Sequence, residues 1–164
     1  MTKTADEIKA FERNTVLQSE SKLWIDERRK LLTASNFKRV CSRRKTTSCA
    51  KLVKNLVYPQ EINSKAVKHG KTFEPVAKEK LERELNIVVQ ACGMFIDEKY
   101  PYLAATPDGI VDDHTLVEIK CPLTLYKKKI DDAISERKLA FFFANGTINK
   151  NHAWYFQIQG QLWI

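Results

Sequence analysis

Thr106-Pro107-Asp108-Gly109-Ile110-Val111-Asp112-Asp113-His114-Thr115-Leu116-Val117-Glu118-Ile119-Lys120-Cys121-Pro122 is the stretch whose reading decides the fold. Pro107 and Gly109 flank Asp108 and put it on a turn. Two short strands are expected next, at 109–111 and 115–121, with Asp112-Asp113-His114 turning between them. Successive side chains on a strand point to opposite faces, so Glu118 and Lys120 share one face while Val117, Ile119 and Cys121 share the other. The apolar set packs inward, and the two charges project beside Asp108.

The acid-x-Lys triplet alone carries little information. It occurs five times in the chain, at Glu7, Glu20, Asp97, Glu118 and Glu136. A Pro-Asp-Gly turn alone is most often only a turn. The triplet at Glu118 differs because it lies on an apolar strand preceded by a hairpin that carries an Asp.

Composition bounds what surrounds this hairpin. The 164 residues suit a single domain, and 43% apolar content supports a packed core. No run of 18 apolar residues is present, so no transmembrane helix and no membrane partner are expected. The N-terminus lacks the apolar core of a signal peptide. Cys41, Cys49, Cys92 and Cys121 form no CxxC pair, which argues against a zinc site or a disulfide framework. These features point to an intracellular, non-secreted protein. The net charge of +8 is unevenly placed, with ten Lys and Arg and no Asp or Glu between Arg28 and Lys54. A window that basic fits a polyanionic partner, nucleic acid above all.

Outward from the hairpin, the chain reads as helices, then strands, then helices. Helical patterns are expected at 5–18, 21–32, 36–41, 46–57 and 63–85, with Pro75 kinking or dividing the longest. The first 20 residues read as an extension that frays. Thr33-Ala34-Ser35-Asn36 is a capping segment. A strand is expected at 88–96, a helix at 125–135 and a final helix at 152–164, with 141–146 ambiguous. Trp24, Trp154 and Trp163 are expected in the core or packed on a sheet, and His69, His114 and His152 in structural or surface roles. The order is α/β or α+β around a small mixed sheet.

Glu74, Asp108, Glu118, Lys120 and Gln157 share a chemical rationale. Phosphodiester hydrolysis needs a nucleophilic water and neutralisation of the phosphoryl oxygens, both of which Mg²⁺ supplies. Mg²⁺ prefers oxygen ligands and keeps several waters, so a few carboxylates suffice. Asp108 and Glu118, with the main-chain carbonyl of Ile119, are candidate ligands. A neighbouring Lys orients the water and offsets developing negative charge.

Five motifs in order carry a family resemblance. They are Trp24 with Arg28 and Thr33-Ala34-Ser35; Gly70-Lys71-x-x-Glu74; Thr106-Pro107-Asp108-Gly109; Glu118-Ile119-Lys120-Cys121-Pro122; and Gln157-x-Gln159. From about Leu23 onward the chain resembles the phage lambda-type exonuclease, or YqaJ-like viral recombinase, group of the PD-(D/E)XK nuclease superfamily. The resemblance implies a restriction-endonuclease-like core and a Mg²⁺-dependent nuclease, with Mn²⁺ as an alternative ion. It implies metal binding by Asp108 and Glu118, Lys120 as the catalytic Lys, and Glu74 at a second metal or its water. Gln157 bridges to the site from the last helix, with Gln159 as its rival. Arg28, Thr33 and Ser35 hold a 5′-terminal phosphate, with Lys38, Arg39, Arg43 and Arg44 along the DNA.

The expected substrate is duplex DNA with a 5′-phosphate end, cut 5′ to 3′ in recombination or repair. A strand-annealing protein partner and a homotrimer follow by analogy alone. Structure-specific endonuclease and catalytically silent DNA-binding module remain as alternatives. Family members continue past the helix at 152–164, so a C-terminal strand and helices are expected to be missing here. Iron–sulfur relatives carry a Cys cluster near the C-terminal end of the domain; none of these Cys lies beyond Cys121, and no such cluster is expected.

Overall fold

The computed structural model describes residues 4–60 and 62–164. The fold is mixed α+β, with two small sheets among helices. Helix α1 (Ala5–Asn14) opens with a capping box between Thr4 and Glu7. Its Phe11 is buried with Trp24 of α2 (Lys22–Arg28) and with Met94, Ile96 and Ala104. That cluster is the centre of the core, so α1 is docked rather than frayed. Burial of Phe11, and of the acidic Glu12 beside it, holds the helix in place.

Strand β1 (Leu32–Thr33) pairs parallel with β3 (Leu103–Ala105), and β2 (Phe95–Ile96) pairs antiparallel with β3. This mixed sheet has the order β1-β3-β2. β4 (Gly109–Asp112) and β5 (Thr115–Val117) form a separate antiparallel hairpin, irregular between Ile110 and Asp112. Helices α3 (Phe37–Cys41), α4 (Ala50–Val57) and α5 (Lys65–Leu85) occupy the middle of the chain, and α6 (Ile130–Ser135) and α7 (Ala153–Trp163) the last third.

Several elements depart from the sequence reading, each for a physical reason. The strand expected at 88–96 shrinks to β2 plus one bridge between Gln90 and Ile110. Side chains of α1 and its C-terminal end claim the intervening N–H groups: Gly93 N–H donates to Glu12 Oε1 (2.6 Å) and Met94 N–H to Thr15 Oγ1 (2.8 Å). A Cβ at Gly93 would fall 1.9 Å from the Glu12 carbonyl oxygen, so only glycine fits. The strand expected at 115–121 ends at Val117, because Ile119 N–H donates to Asp108 Oδ2 (2.5 Å) and leaves the ladder.

Pro75 does not divide α5, which runs unbroken through it. It is exposed, where a forfeited main-chain bond costs least. Helix α4 begins at Ala50 rather than 46. Residues 123–135 split into a 3₁₀ turn (Leu123–Leu125) and α6. β1 replaces the end of an expected helix, and β3 had no strand signal, since Ala104 and Ala105 are both buried and no alternation shows. Trp24 is in the core and Trp154 packs on Phe141 and His152, but Trp163 is 64% exposed. α7 is covered through Gly160 and Gln161, and the adjoining Leu162 and Trp163 stay outside.

Candidate active site

The hairpin and α7 build one wall of a cavity. Asp108 precedes β4, its N–H donates to the Val117 carbonyl (3.0 Å), and its Oδ2 accepts from Ile119 N–H. The two arms are thereby locked, which sets Glu118 and Lys120, just past the end of β5, beside Asp108. Lys120 Nζ pairs with Glu118 Oε1, and the Glu118 side chain is only 7% exposed. Gln157 Nε2 donates to Glu118 Oε1 (2.6 Å) and Gln161 Nε2 to Oε2 (2.5 Å). Residues four apart on a helix share a face, so one stripe of α7 grips both carboxylate oxygens. On another face of α7, Gly160 lets the helix lie against Phe37 and Ala34, where a Cβ would fall 2.6 Å from the Phe37 ring.

Burial pushes the Asp108 carboxyl up to about 6. The Ile119 N–H acts against this, while the charges of Glu118 and Glu74 add to it. The wall is therefore short of positive charge despite Lys120. Gln161 shows a second imbalance. A carboxylate accepts only, so the Gln161 amide must turn its NH₂ toward Glu118. Its Oε1 is then left buried, with no partner among the described residues.

The opposite wall is cationic. Trp24 Nε1 donates to Thr106 Oγ1 (3.1 Å), tying α2 to the turn before Asp108. The Arg28 guanidinium lies 4.5 Å from the centre of the Trp24 ring and donates to Ser35 Oγ (3.3 Å). Thr33 Oγ1 and Ser35 Oγ are 3.1 Å apart, and Asn36 Nδ2 donates to Thr33 Oγ1 (3.0 Å). Burial lowers the Arg28 pKa, and no carboxylate pairs with it among the described residues. A desolvated cation without an acid calls for an anion.

Both walls enclose one cavity of about 260 Å³. Arg28, Thr33, Ser35, Asp108, Glu118, Lys120 and Gln157 all line it. Other candidates lie elsewhere. Glu74 is exposed on α5, near enough to act electrostatically on Asp108 but outside the lining. Lys38 sits over Phe156 (4.9 Å), Arg39 donates to Asn36 Oδ1 (2.9 Å), and Arg43 donates to the Arg44 carbonyl (3.4 Å). None of these four basic residues lines the cavity. Gln159 is exposed, so Gln157 and not its rival reaches Glu118.

Two lining residues were not assigned to the site from the sequence. Gln161 had a usable signal, four residues after Gln157 on the same stripe. Gln18 had none; its amide donates to the carbonyls of Cys92 (3.0 Å) and Pro107 (3.1 Å), bracing the turn from far away in the chain. Among the described residues no three His, Cys, Asp or Glu side chains cluster as a metal cage. No helix among them is long and apolar enough to cross a membrane.

Residues 23–164 match the YqaJ-like viral recombinase domain. The chain belongs to this family. It is also similar to two solved structures. One is an alkaline exonuclease, LHK-Exo, from Laribacter hongkongensis, with 29% identity and a TM-score of 0.61, covering 85% of this chain and 66% of that one. The other is LHK-Exo in complex with dAMP, with 27% identity, a TM-score of 0.62 and coverage of 84% and 65%. The YqaJ-like chain thus spans just under two thirds of the length of these exonucleases. Comparison with curated proteins finds no match.

Proposed function

We propose that this YqaJ-like chain is the core of a Mg²⁺-dependent DNA nuclease that removes nucleotides 5′ to 3′ from duplex ends carrying a 5′-phosphate. The observation that carries this reading is the pairing of two unlike walls around one cavity: Asp108, Glu118 and Lys120 face Arg28, Thr33 and Ser35. The similarity to an exonuclease supports the same reaction class.

A divalent cation suits the acidic wall. The donors are hard oxygens, and burial, with a smaller contribution from the neighbouring carboxylates, already pushes Asp108 up to about 6. Asp108, Glu118 and the Ile119 carbonyl would hold Mg²⁺, its waters completing the shell. Mg²⁺ (or Mn²⁺) supplies a water of lowered pKa and neutralises phosphoryl oxygens. Gln157 and Gln161 hold Glu118 in one orientation. Lys120 orients the attacking water and offsets charge on the phosphoryl group. Glu74 contributes at longer range. Arg28, with its hydroxyl neighbours, seats the terminal phosphate and sets the scissile bond in register.

A time course on 5′-phosphorylated, 5′-hydroxyl and circular duplex DNA, with and without Mg²⁺, tests the proposal. Release of nucleotides only with Mg²⁺, fastest from 5′-phosphorylated ends and absent on circles, is expected. Cutting of circles would turn the reading to an endonuclease, and binding without any cutting to a silent DNA-binding module.

A further inference from the structure

The segment ahead of Leu23, where the match to the family domain begins, reaches into the active site. Phe11 anchors it in the core, and its polar side chains hold three consecutive residues of the chain opposite. Glu12 Oε1 accepts from Gly93 N–H (2.6 Å), Thr15 Oγ1 accepts from Met94 N–H (2.8 Å), and Gln18 Nε2 donates to the Cys92 carbonyl (3.0 Å). The same Gln18 nitrogen donates to the Pro107 carbonyl (3.1 Å), so both hydrogens of its amide are committed. Gln18 lines the active-site cavity.

The Pro107 carbonyl is one edge of the peptide unit that leads into Asp108. It accepts from Gln18 and also from Cys92 Sγ (3.5 Å). The other edge of that unit, the Asp108 N–H, donates to the Val117 carbonyl (3.0 Å). A peptide unit is a rigid plane. Holding both its edges sets where the Asp108 Cα lies, and Ile119 N–H on Oδ2 then sets where the carboxylate points. Gln18 itself stands at φ +45°, a left-handed backbone that a Cβ disfavours. Strain of this kind persists where the surrounding contacts over-determine it, and here those contacts are the two carbonyls.

We infer that Gln18 is a positioning residue for the active site: its amide clamps the Pro107–Asp108 peptide unit and so presents Asp108 to the divalent ion. This step rests on the proposed role of Asp108 as a metal ligand. An ion that meets an oriented carboxylate does not have to fix it, which is how the outer partners of a ligand set metal affinity.

The test compares Gln18→Ala with Gln18→Gly in the full-length protein, with Glu20→Gln, at an exposed neighbouring position, as the control expected to match wild type. Both Gln18 variants lose the clamp. They differ in strain, because Gly adopts positive φ freely and Ala does not, so Gln18→Gly should melt a few degrees higher than Gln18→Ala. Metal affinity that followed stability would rank the two in the same order, whereas affinity that follows the clamp falls equally in both. In calorimetry with Ca²⁺ and a 5′-phosphorylated duplex, each is expected to bind the ion about tenfold to hundredfold more weakly than wild type. The half-saturating Mg²⁺ concentration should rise by the same factor, with KM for DNA unchanged. In metal-free protein, amide exchange followed by NMR should quicken at least about tenfold at Asp108 and Ile119, while the amides paired between β2 and β3 keep the wild-type rate.

Undiminished Ca²⁺ affinity in either variant overturns the inference. So does unchanged exchange at Asp108 and Ile119. Faster exchange there and between β2 and β3 alike also overturns it, since Gln18 would then serve packing and not the site. Failure of the nuclease reading looks different: wild type would bind no Ca²⁺ and release no nucleotide with Mg²⁺, whatever the amide exchange shows of the clamp.

Discussion

The two walls of the cavity treat their charged groups in opposite ways. On the α7 side Glu118 is saturated: both oxygens accept amide hydrogen bonds and one also meets Lys120. On the α2 side Arg28 is half-buried and meets only a hydroxyl and the face of Trp24. A saturated carboxylate is fixed in place before anything binds. A half-buried cation with one weak donor contact has coordination left over for a ligand. The difference separates a wall built to orient from a wall built to receive.

The largest expected effects come from the orienting wall. Glu118→Gln removes a ligand charge, and Lys120→Ala removes the cation paired with it. Each is expected to lower nuclease activity at least about a thousandfold, as loss of a central electrostatic contact does. DNA affinity should stay within a few-fold, because the basic surface supplies it. Glu7→Gln, in an unrelated acid-x-Lys triplet, is the matched control and should change nothing. Substantial activity in either site variant would reduce the first wall to scaffolding.

The receiving wall should show its effect as a ratio. A charge-assisted bond to phosphate is worth roughly 1.5–3 kcal/mol and has no counterpart at a hydroxyl end. Arg28→Ala should therefore erase a preference of about tenfold to hundredfold for 5′-phosphate over 5′-hydroxyl ends, read as relative kcat/KM. Should the variant keep the preference, the walls would have lost their division of labour.

The orienting wall was legible in the sequence because it is local. Asp108 immediately precedes one hairpin and Glu118 and Lys120 immediately follow it, so the turn and the short separation suffice to bring them together, although the strand expected to carry them stops at Val117. The grip of Gln157 and Gln161 was half legible, since spacing of four shows the stripe but not its target. What stayed hidden depends on pairs distant in sequence. Glu12 reaches Gly93 and Gln18 reaches Pro107, across 81 and 89 positions. These contacts dissolved the expected strand at 88–96 and docked the helix read as fraying. No local pattern encodes them, because a buried Glu and a solvent-facing Glu look alike on a helix. Arg28, Thr33 and Ser35 were found only through family resemblance; physically they are united by β1, a strand of two residues without a signal.

Asp108 offers a finer test of the imbalance on the orienting wall. Its folded-state pKa is about 6, against an ordinary value of 3.8. Because the value is raised, the favourable contribution is that of the protonated form. It is fully present below the ordinary value and is lost as pH rises through 6. In metal-free protein at pH 7–8, Asp108→Asn should then be more stable than wild type by about 1–3 kcal/mol. The upper figure is the unscreened conversion and the lower allows for solvent at a half-buried group. The Asn Oδ1 can still accept from Ile119 N–H. Thermal melts should show the gap closing as pH falls to 4, and closing at pH 7.5 when Mg²⁺ is added. Parallel melting curves from pH 4 to 8 would mean the carboxyl is not strained by its burial.

The smallest effect concerns Gln161, and it asks how much of the saturation at Glu118 is needed. Gln161→Ala frees one carboxylate oxygen, leaving Gln157 and Lys120 on the other. It also removes a buried carbonyl oxygen without a partner, whose desolvation costs about 1–3 kcal/mol. Lost hydrogen bond and lost orphan oppose each other, so stability should change little. Orientation has no such compensation. A carboxylate held by one oxygen can swing, and an ion must fix it at its own expense. The half-saturating Mg²⁺ concentration should rise roughly three- to tenfold, the scale of one hydrogen bond of about 1 kcal/mol. Calorimetry with Ca²⁺ should weaken by the same factor, while kcat at saturating Mg²⁺ stays within about twofold. Gln157→Ala should cost more, since its amide shares its oxygen with Lys120 and its loss lets that ion pair rotate. An unchanged metal requirement in Gln161→Ala would show that α7 orients Glu118 through Gln157 alone, and that the second amide serves only to pack the helix against the hairpin.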